Sequence, residues 1–206
     1  MERSRWKQAE EHLSRVDPVL RELIETLGPC TLEALGPPFD VLCRAVIGQQ
    51  ISIRAARSIY QRLCQAVGQE RLDPETVLRT PEASLRQIGL SQTKTLTLRR
   101  VAEAICEGRL DLEALATAPA EEVYGRLTAF SGIGRWTVEM VLIFAYLHPR
   151  VLPLQDLGLQ RAIRLRYNLG ELARLEALRI IARPWAPYET IATWYLWKSV
   201  DGDPSL

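Results

Sequence analysis

The sequence predicts an all-α protein, and three observations carry that expectation. Apolar residues recur at helical spacing in almost every segment, strand-like alternation is nearly absent, and the helix starts are punctuated. Thr80-Pro81-Glu82 offers an N-cap followed by proline at the first helical position, Asp73-Pro74-Glu75 repeats the device, and Pro119 heads the run PAEEVYGRL. Ser91 can cap QTKTLTLRRVAEAICEG, with Gly108 as its terminator. RWTVEMVLIFAYL is apolar nearly all round, with Glu139 its main charged exception, so it is expected to be the buried helix around which the others pack. The pattern suggests about ten helices. The prolines of LGPPFD (Leu35–Asp40) and LHPRVLPLQD (Leu147–Asp156) mark two joints, and the closing DGDPSL is polar and expected to fray.

The totals narrow the class. A chain of 206 residues suffices for one large domain or two small lobes. At 47% hydrophobic and 25% charged it has the composition of an ordinary globular protein. There is no apolar run of the roughly 18 residues a membrane span needs, and MERSRWKQAEEHL lacks the apolar centre of a secretory signal. A cytoplasmic, membrane-free protein is therefore expected. The formal net charge of +1 argues against a polycationic tail but not against a local basic face. Between Arg161 and Arg183, six arginines meet two acids, which fits a solvated helix surface at least as well. Cys30, Cys43, Cys64 and Cys106 match no zinc or iron–sulfur spacing and are expected as reduced, mostly buried thiols. With His12 and His148 the only histidines, a histidine metal site or a Ser-His-Asp triad has little to work with.

FSGIGRWTVEM (Phe130–Met140) places two glycines with one residue between them directly before the apolar helix. A helix ending near Phe130, a tight turn at SGIG and a new helix from Arg135 make a helix–hairpin–helix. Glycine serves where φ is positive or where another backbone comes close, and a helix start presents unpaired N–H groups suited to a phosphate. A bare G-x-G more often closes a plain turn. The neighbouring residues make the string more specific, because a buried helix follows and then VLPLQD, with Pro153 and Asp156.

On these residues the chain resembles the helix–hairpin–helix (HhH-GPD) DNA glycosylase superfamily, the group containing endonuclease III, and within it the AlkA type, 3-methyladenine DNA glycosylase II. PFDVLCRAVIGQQIS (Pro38–Ser52) resembles the family's first barrel helix and the turn after it. IGLSQTK (Ile88–Lys94) resembles its GLS..K segment, and PWAPYETIATWYLW (Pro184–Trp197) its tryptophan-rich last helix. The resemblance runs from about Phe39 to Trp197. It implies two helical lobes flanking a cleft, a six-helix barrel lobe at 38–147 carrying the hairpin and a second lobe from 1–37 and 148–206. Two departures stand out. Ser131 replaces the proline of the family's usual LPGIG or FPGIG, which implies a slightly looser turn, and the chain is too short for the β-rich N-terminal domain of larger AlkA-type enzymes.

The resemblance also implies roles. Backbone amides near Gly132, Gly134 and Trp136, with Arg135 and Thr137, would hold a DNA phosphate and position the duplex without reading sequence. Main-chain carbonyls of Thr128, Phe130 and Gly132 would bind a structural monovalent cation, and no other cofactor is required. The family's catalytic aspartate falls on Asp156, where a fixed carboxylate can stabilise positive charge on the sugar and orient or deprotonate water. Asp156 reads equally well as the N-cap of LGLQRAIRLRY, and the two roles are compatible. Where bifunctional relatives carry a Schiff-base lysine, this chain has Trp136, which implies a monofunctional enzyme leaving an abasic site. The family's iron–sulfur cluster is likewise absent from the sequence. The flipped base would stack on Trp136 and Trp194, with Met140 where a relative can carry an aromatic. A cationic alkylated base gains about 1–2 kcal/mol there over a neutral one. Trp185, Trp197 and Tyr188 are read as core packing. Gln50, with Ile51 as alternative, would fill the gap in the stack beside Ser52, and Lys94, Arg54 or Arg57 would meet phosphates.

The function expected is excision of alkylated purines from double-stranded DNA in base excision repair, by a monomer. The rivals are a non-catalytic lesion-binding protein that keeps the hairpin, a glycosylase for uracil or mispaired adenine, and a helical scaffold in which every motif is packing.

Overall fold

The computed structural model describes residues 6–170 and 174–201. The expectation of a frayed C-terminal tail falls on residues 202–206, outside the described ones. The described residues form α-helices and two 3-10 turns, with no strand among them. They divide into two compact units, one of the residues up to Glu33 together with those from Leu147 onward, the other Ala34–Tyr146.

The chain opens with α1 (Lys7–Val16) and α2 (Pro18–Leu27). Seven helices then build the middle unit: α3 (Pro38–Gly48), α4 (Ile53–Val67), α5 (Pro74–Arg79), α6 (Glu82–Gln87), α7 (Gln92–Cys106), α8 (Ala120–Thr128) and α9 (Arg135–Phe144). The first unit resumes with α10 (Leu157–Arg166), α11 (Leu175–Ala182) and α12 (Glu189–Asp201). The described residues thus hold twelve α-helices rather than about ten, and α5 and α6, which the Asp73-Pro74-Glu75 and Thr80-Pro81-Glu82 starts announce, run only six residues each.

Helix starts follow the local chemistry. Asp73 accepts from Thr76 N at 2.7 Å to cap α5, and Ser91 accepts from Lys94 N to cap α7. Thr80 departs from expectation. Its hydroxyl donates back to Thr76 O at 2.7 Å and closes α5, while Pro81 occupies the N-cap of α6. Two residues between helices leave no room for a separate cap, so Thr80 serves the helix that ends.

The middle unit packs around α9, whose residues from Thr137 to Phe144 are all buried, as its apolar sequence requires. α3, buried from Pro38 to Cys43 and from Ala45 to Ile47, lies against it together with α8, and α7 packs on α3. The other unit has a counterpart in α12, where every residue from Thr190 to Trp197 is buried against α2 and α10. Its polar centre is Asp17, 5% exposed. Oδ1 caps α2 through Val19 N (2.9 Å) and Leu20 N (3.1 Å), and Oδ2 accepts from Tyr167 Oη (2.6 Å) and Trp185 Nε1 (2.8 Å). Burial and the adjacent carboxylate hold the Tyr167 phenol neutral, well above its usual range. Asp17→Ala removes a helix cap and strands two buried donors, and is expected to destabilise the protein by about 3 kcal/mol. Urea unfolding with an unchanged slope and a lowered midpoint checks this.

Candidate functional site

The hairpin between α8 and α9 is a turn that other elements grip. Phe130 N donates to Leu127 O (3.1 Å) and Ile133 N to Phe130 O (3.0 Å). Gly132 takes φ +93°, a conformation L side chains rarely adopt, and a Cβ there would overlap Thr97 Oγ1. That hydroxyl lies 2.9 Å from Thr93 O in its own helix and 3.0 Å from Ser131 O, sharing one hydrogen between them. From the end of α3, Gln49 gives both amide hydrogens to the hairpin, to Gly132 O (2.9 Å) and Thr137 Oγ1 (2.8 Å). Gln49 and Thr97 were not foreseen from the sequence. Gln49 lies beside the more conspicuous Gln50, and Thr97 sits mid-helix where threonine carries no special signal.

The second glycine differs. Gly134 has an ordinary extended backbone, and a Cβ built on it meets no atom within 4 Å. Nothing inside the protein demands glycine there. It is the N-cap of α9 and has no side chain to satisfy the first turn, whose ladder opens with Val138 N donating to Gly134 O at 3.2 Å. The positive end of the helix dipole therefore emerges at an exposed, side-chain-free position, the geometry that favours an anion. Arg135 adds a full charge beside it. Its guanidinium is held by Glu139 Oε1 (3.0 Å) and stacks 4.5 Å over the Tyr124 ring, while its side chain stays 60% exposed. Burial and the Glu139 carboxylate push the Tyr124 phenol up to about 12, so it stays neutral beneath the cation. Thr137 is buried, and its hydroxyl is occupied by Gln49, which leaves its backbone as the part available to a phosphate.

The turn after α3 projects the residues expected to enter DNA. Ile51 N donates to Gly48 O, and Gln50 sits at φ +57° with its side chain exposed. Ile51 (39%) and Ile53 (49%) are exposed large hydrophobics beside it, and Ser52 caps α4 through Ala55 N. Arg54 and Arg57 are exposed on α4. Lys94 does different work from the phosphate contact expected. Its ammonium donates to Ile47 O and Gln49 O, both at 2.8 Å, and its burial lowers its pKa, so it fastens the turn that carries Gln49.

The expected pocket residues part company. Trp136 is half-buried with its ring edge against Gly48, where an added Cβ would stand 3.8 Å from the indole. Met140 and Trp194 are each 2% exposed and act as core. Met140 points inward because α9 is buried on all sides. Trp194 meets Tyr195 edge-on and has Lys198 Nζ 4.5 Å over its ring, a protein cation where a cationic base was expected.

Asp156 sits where α10 begins. Its Oδ1 accepts from Leu159 N at 2.7 Å, the cap expected, and also from Trp197 Nε1 at 3.0 Å. The preceding segment is fastened too. Thr190 Oγ1 donates to His148 O (2.6 Å) and accepts from Val151 N (3.1 Å), Gln160 Nε2 donates to Leu154 O (2.8 Å), and Asp156 N donates to Pro153 O (2.8 Å). Cys30, Cys43 and Cys64 are buried free thiols, and Cys106 is an exposed one.

The two glycines therefore predict opposite outcomes. Gly132→Ala forces a positive φ and a clash, and should destabilise the protein by about 2 kcal/mol or more. Thr97→Ala introduced with it should recover part of that loss. Gly134→Ala should leave the unfolding midpoint within about 0.5 kcal/mol of the parent. Chemical denaturation of the four proteins checks the pattern.

A family model described as "HhH-GPD superfamily base excision DNA repair protein" matches residues 43–187. DNA-3-methyladenine glycosylase 1 of Schizosaccharomyces pombe is 32% identical over 93% of this chain and 86% of its own length. The alkylbase DNA glycosidase-like protein mag2 of the same organism is 30% identical over 95% and 94%. Among solved structures, a DNA-3-methyladenine glycosidase from Bacillus halodurans superposes with a TM-score of 0.79 at 38% identity, covering 94% of this chain and 89% of that one. The S. pombe 3-methyladenine DNA glycosylase Mag1 in complex with abasic DNA superposes with a TM-score of 0.85 at 32% identity, covering 96% and 100%. With an all-helical fold, a gripped hairpin and a family match across most of its length, the chain belongs to the HhH-GPD superfamily of base excision DNA repair proteins.

Proposed function

We propose that the protein is a monofunctional DNA glycosylase that hydrolyses the N-glycosidic bond of alkylated, cationic purines in duplex DNA and initiates base excision repair. The observation that carries this reading is the Asp156 carboxylate, held by two protein donors on one oxygen in a chain whose hairpin has tryptophan where a Schiff-base amine would stand. The relatives named as 3-methyladenine glycosylases, and the abasic-DNA complex among them, support the same substrate class.

The chemistry asks little of the protein once the base is cationic. As the C1′–N bond breaks, its electron pair goes to the purine, which leaves neutral, and the sugar becomes oxocarbenium-like. A fixed carboxylate stabilises that charge. Water adds through its oxygen to C1′, and its proton passes to the carboxylate and then to solvent. The product is an abasic sugar in an unbroken strand, because Trp136 has no amine to form a covalent adduct.

In the middle unit the α9 start and Arg135 supply the phosphate contact, Trp136 the stacking surface, and the Gln50–Ile51 turn the wedge for the vacated stack. The Phe130 and Gly132 carbonyls each accept one N–H and keep one lone pair, so with Thr128 they suit a monovalent cation as neutral ligands. Such a cation would only stiffen the hairpin. One hairpin serves one duplex, so the reading takes the protein as a monomer, acting in the cytoplasm.

Base release from methylated duplex DNA tests the proposal, with free base and strand breaks scored separately. The parent should release 3-methyladenine with breaks only after alkali, and Asp156→Asn should slow release by about 100-fold or more. Equal release by both proteins would remove Asp156 from the chemistry, and no release by either with lesion binding intact would leave a recognition protein. Gly134→Ala should bind DNA about tenfold more weakly at unchanged stability, and Arg135→Ala should lower the salt slope of binding by about one unit.

A further inference from the structure

We propose that Trp197 is a positioning residue for the Asp156 carboxylate, acting through its indole N–H rather than by packing alone. This rests on Asp156 being the catalytic carboxylate. An aspartate capping a helix is anchored by one oxygen, yet rotation about its last side-chain bond is soft. At Asp156 the same oxygen takes two donors from different elements, Leu159 N of α10 at 2.7 Å and Trp197 Nε1 of α12 at 3.0 Å. Two donors fill the two lone pairs of Oδ1 and fix the carboxylate plane, and with it the direction of Oδ2.

The approach of the indole depends on a third residue. Gly158, in the first turn of α10, lies under this contact. A Cβ there would stand 3.1 Å from Asp156 Oδ1 and 3.6 Å from Trp197 Nε1. A side chain at 158 would press on the oxygen the indole holds. Trp197 is 8% exposed, so most of its ring is buried against protein and its only polar atom is committed to the carboxylate. Phenylalanine at 197 would keep most of that packing and remove the one donor.

The test compares the parent with Trp197→Phe, Gly158→Ala and Asp156→Asn. Base release from methylated duplex is measured with saturating enzyme in excess, affinity on an abasic-site duplex and stability by thermal melting. Trp197→Phe should slow release about 10- to 100-fold while affinity stays within about twofold. Gly158→Ala should slow release in the same way yet melt no lower than the parent, since alanine favours a helix over glycine. That split of lowered rate from retained stability is one a purely structural role would not produce. If both variants release base at the parental rate while Asp156→Asn is defective, the proposal falls and the glycosylase reading stands. If Asp156→Asn matches the parent, both fall. If Trp197→Phe loses rate, affinity and stability together while Gly158→Ala keeps the parental rate, the indole is packing only. Should Trp197→Phe fail to fold, the rate of Gly158→Ala decides.

Discussion

The contact between Thr97 and Gly132 is the constraint on which the DNA-facing geometry of the middle unit depends. A hydroxyl on α7 occupies the volume a side chain at 132 would need, and the same hydroxyl reaches Ser131 O. The hairpin therefore lies hard against α7, and its φ of +93° is the backbone's answer to that closeness. Gln49 fixes the turn from the other side, and Lys94 in turn holds the carbonyl of Gln49. The end of α3, the start of α7 and the hairpin form one hydrogen-bonded cluster, so the exposed Gln50–Ile51 tip and the first turn of α9 are held at a set separation. The proposed function needs that rigidity, since it has one element grip a phosphate and another enter the stack, and misplacement by an ångström loses the productive geometry.

The other unit solves a similar problem with carboxylates shared between elements. Asp17 joins α2 to Tyr167 and Trp185, and Glu10 accepts from Cys30 N (2.6 Å) and Tyr195 Oη (3.0 Å). These acceptors link the opening helices to segments 150 to 185 residues away in sequence. Asp156 follows the same pattern with Leu159 and Trp197 but is half-exposed, whereas Asp17 is enclosed. The same arrangement serves as a tie where all four donors consume the carboxylate inside the core and as a poised group where the carboxylate reaches the surface. Exposure, rather than residue type, separates the enclosed Asp17 from the aspartate proposed to react.

Much of this was legible in the sequence because it is local. The all-helical class, the central α9, the Asp73 and Ser91 caps, the hairpin and the cap role of Asp156 each follow from residues within one or two turns of each other. What sequence could not show is long-range pairing. Thr97 reaches Ser131 across 34 positions, Gln49 reaches Thr137 across 88, and Trp197 reaches Asp156 across 41. None of these residue types announces its partner. Trp194 and Met140, expected in the pocket, are buried, and the sequence did not show it for a related reason. An aromatic on an apolar helix reads the same whether it lines a cavity or fills a core, and here Lys198 and Tyr195 settle Trp194 in the core. A cation near a DNA site reads from sequence as a phosphate ligand, yet two backbone carbonyls at the end of α3 claim Lys94 first.

The same competition explains how a weakly armed site can be sufficient. With Trp194 already engaged by Lys198, the proposed mechanism leaves the stacking surface to Trp136, whose ring edge rests on Gly48. One indole adds about 1–2 kcal/mol of preference for a cationic base, roughly a tenfold discrimination, far short of what finding rare lesions demands. The larger selectivity must come from the leaving group itself. A base alkylated at a ring nitrogen already carries the positive charge that makes it depart, so the protein has only to hold one carboxylate still and exclude disorder around it. On the proposed mechanism the burden falls on orientation rather than on pKa tuning or a covalent nucleophile, which fits a chain that places two donors on a single oxygen of Asp156 and has no amine at position 136.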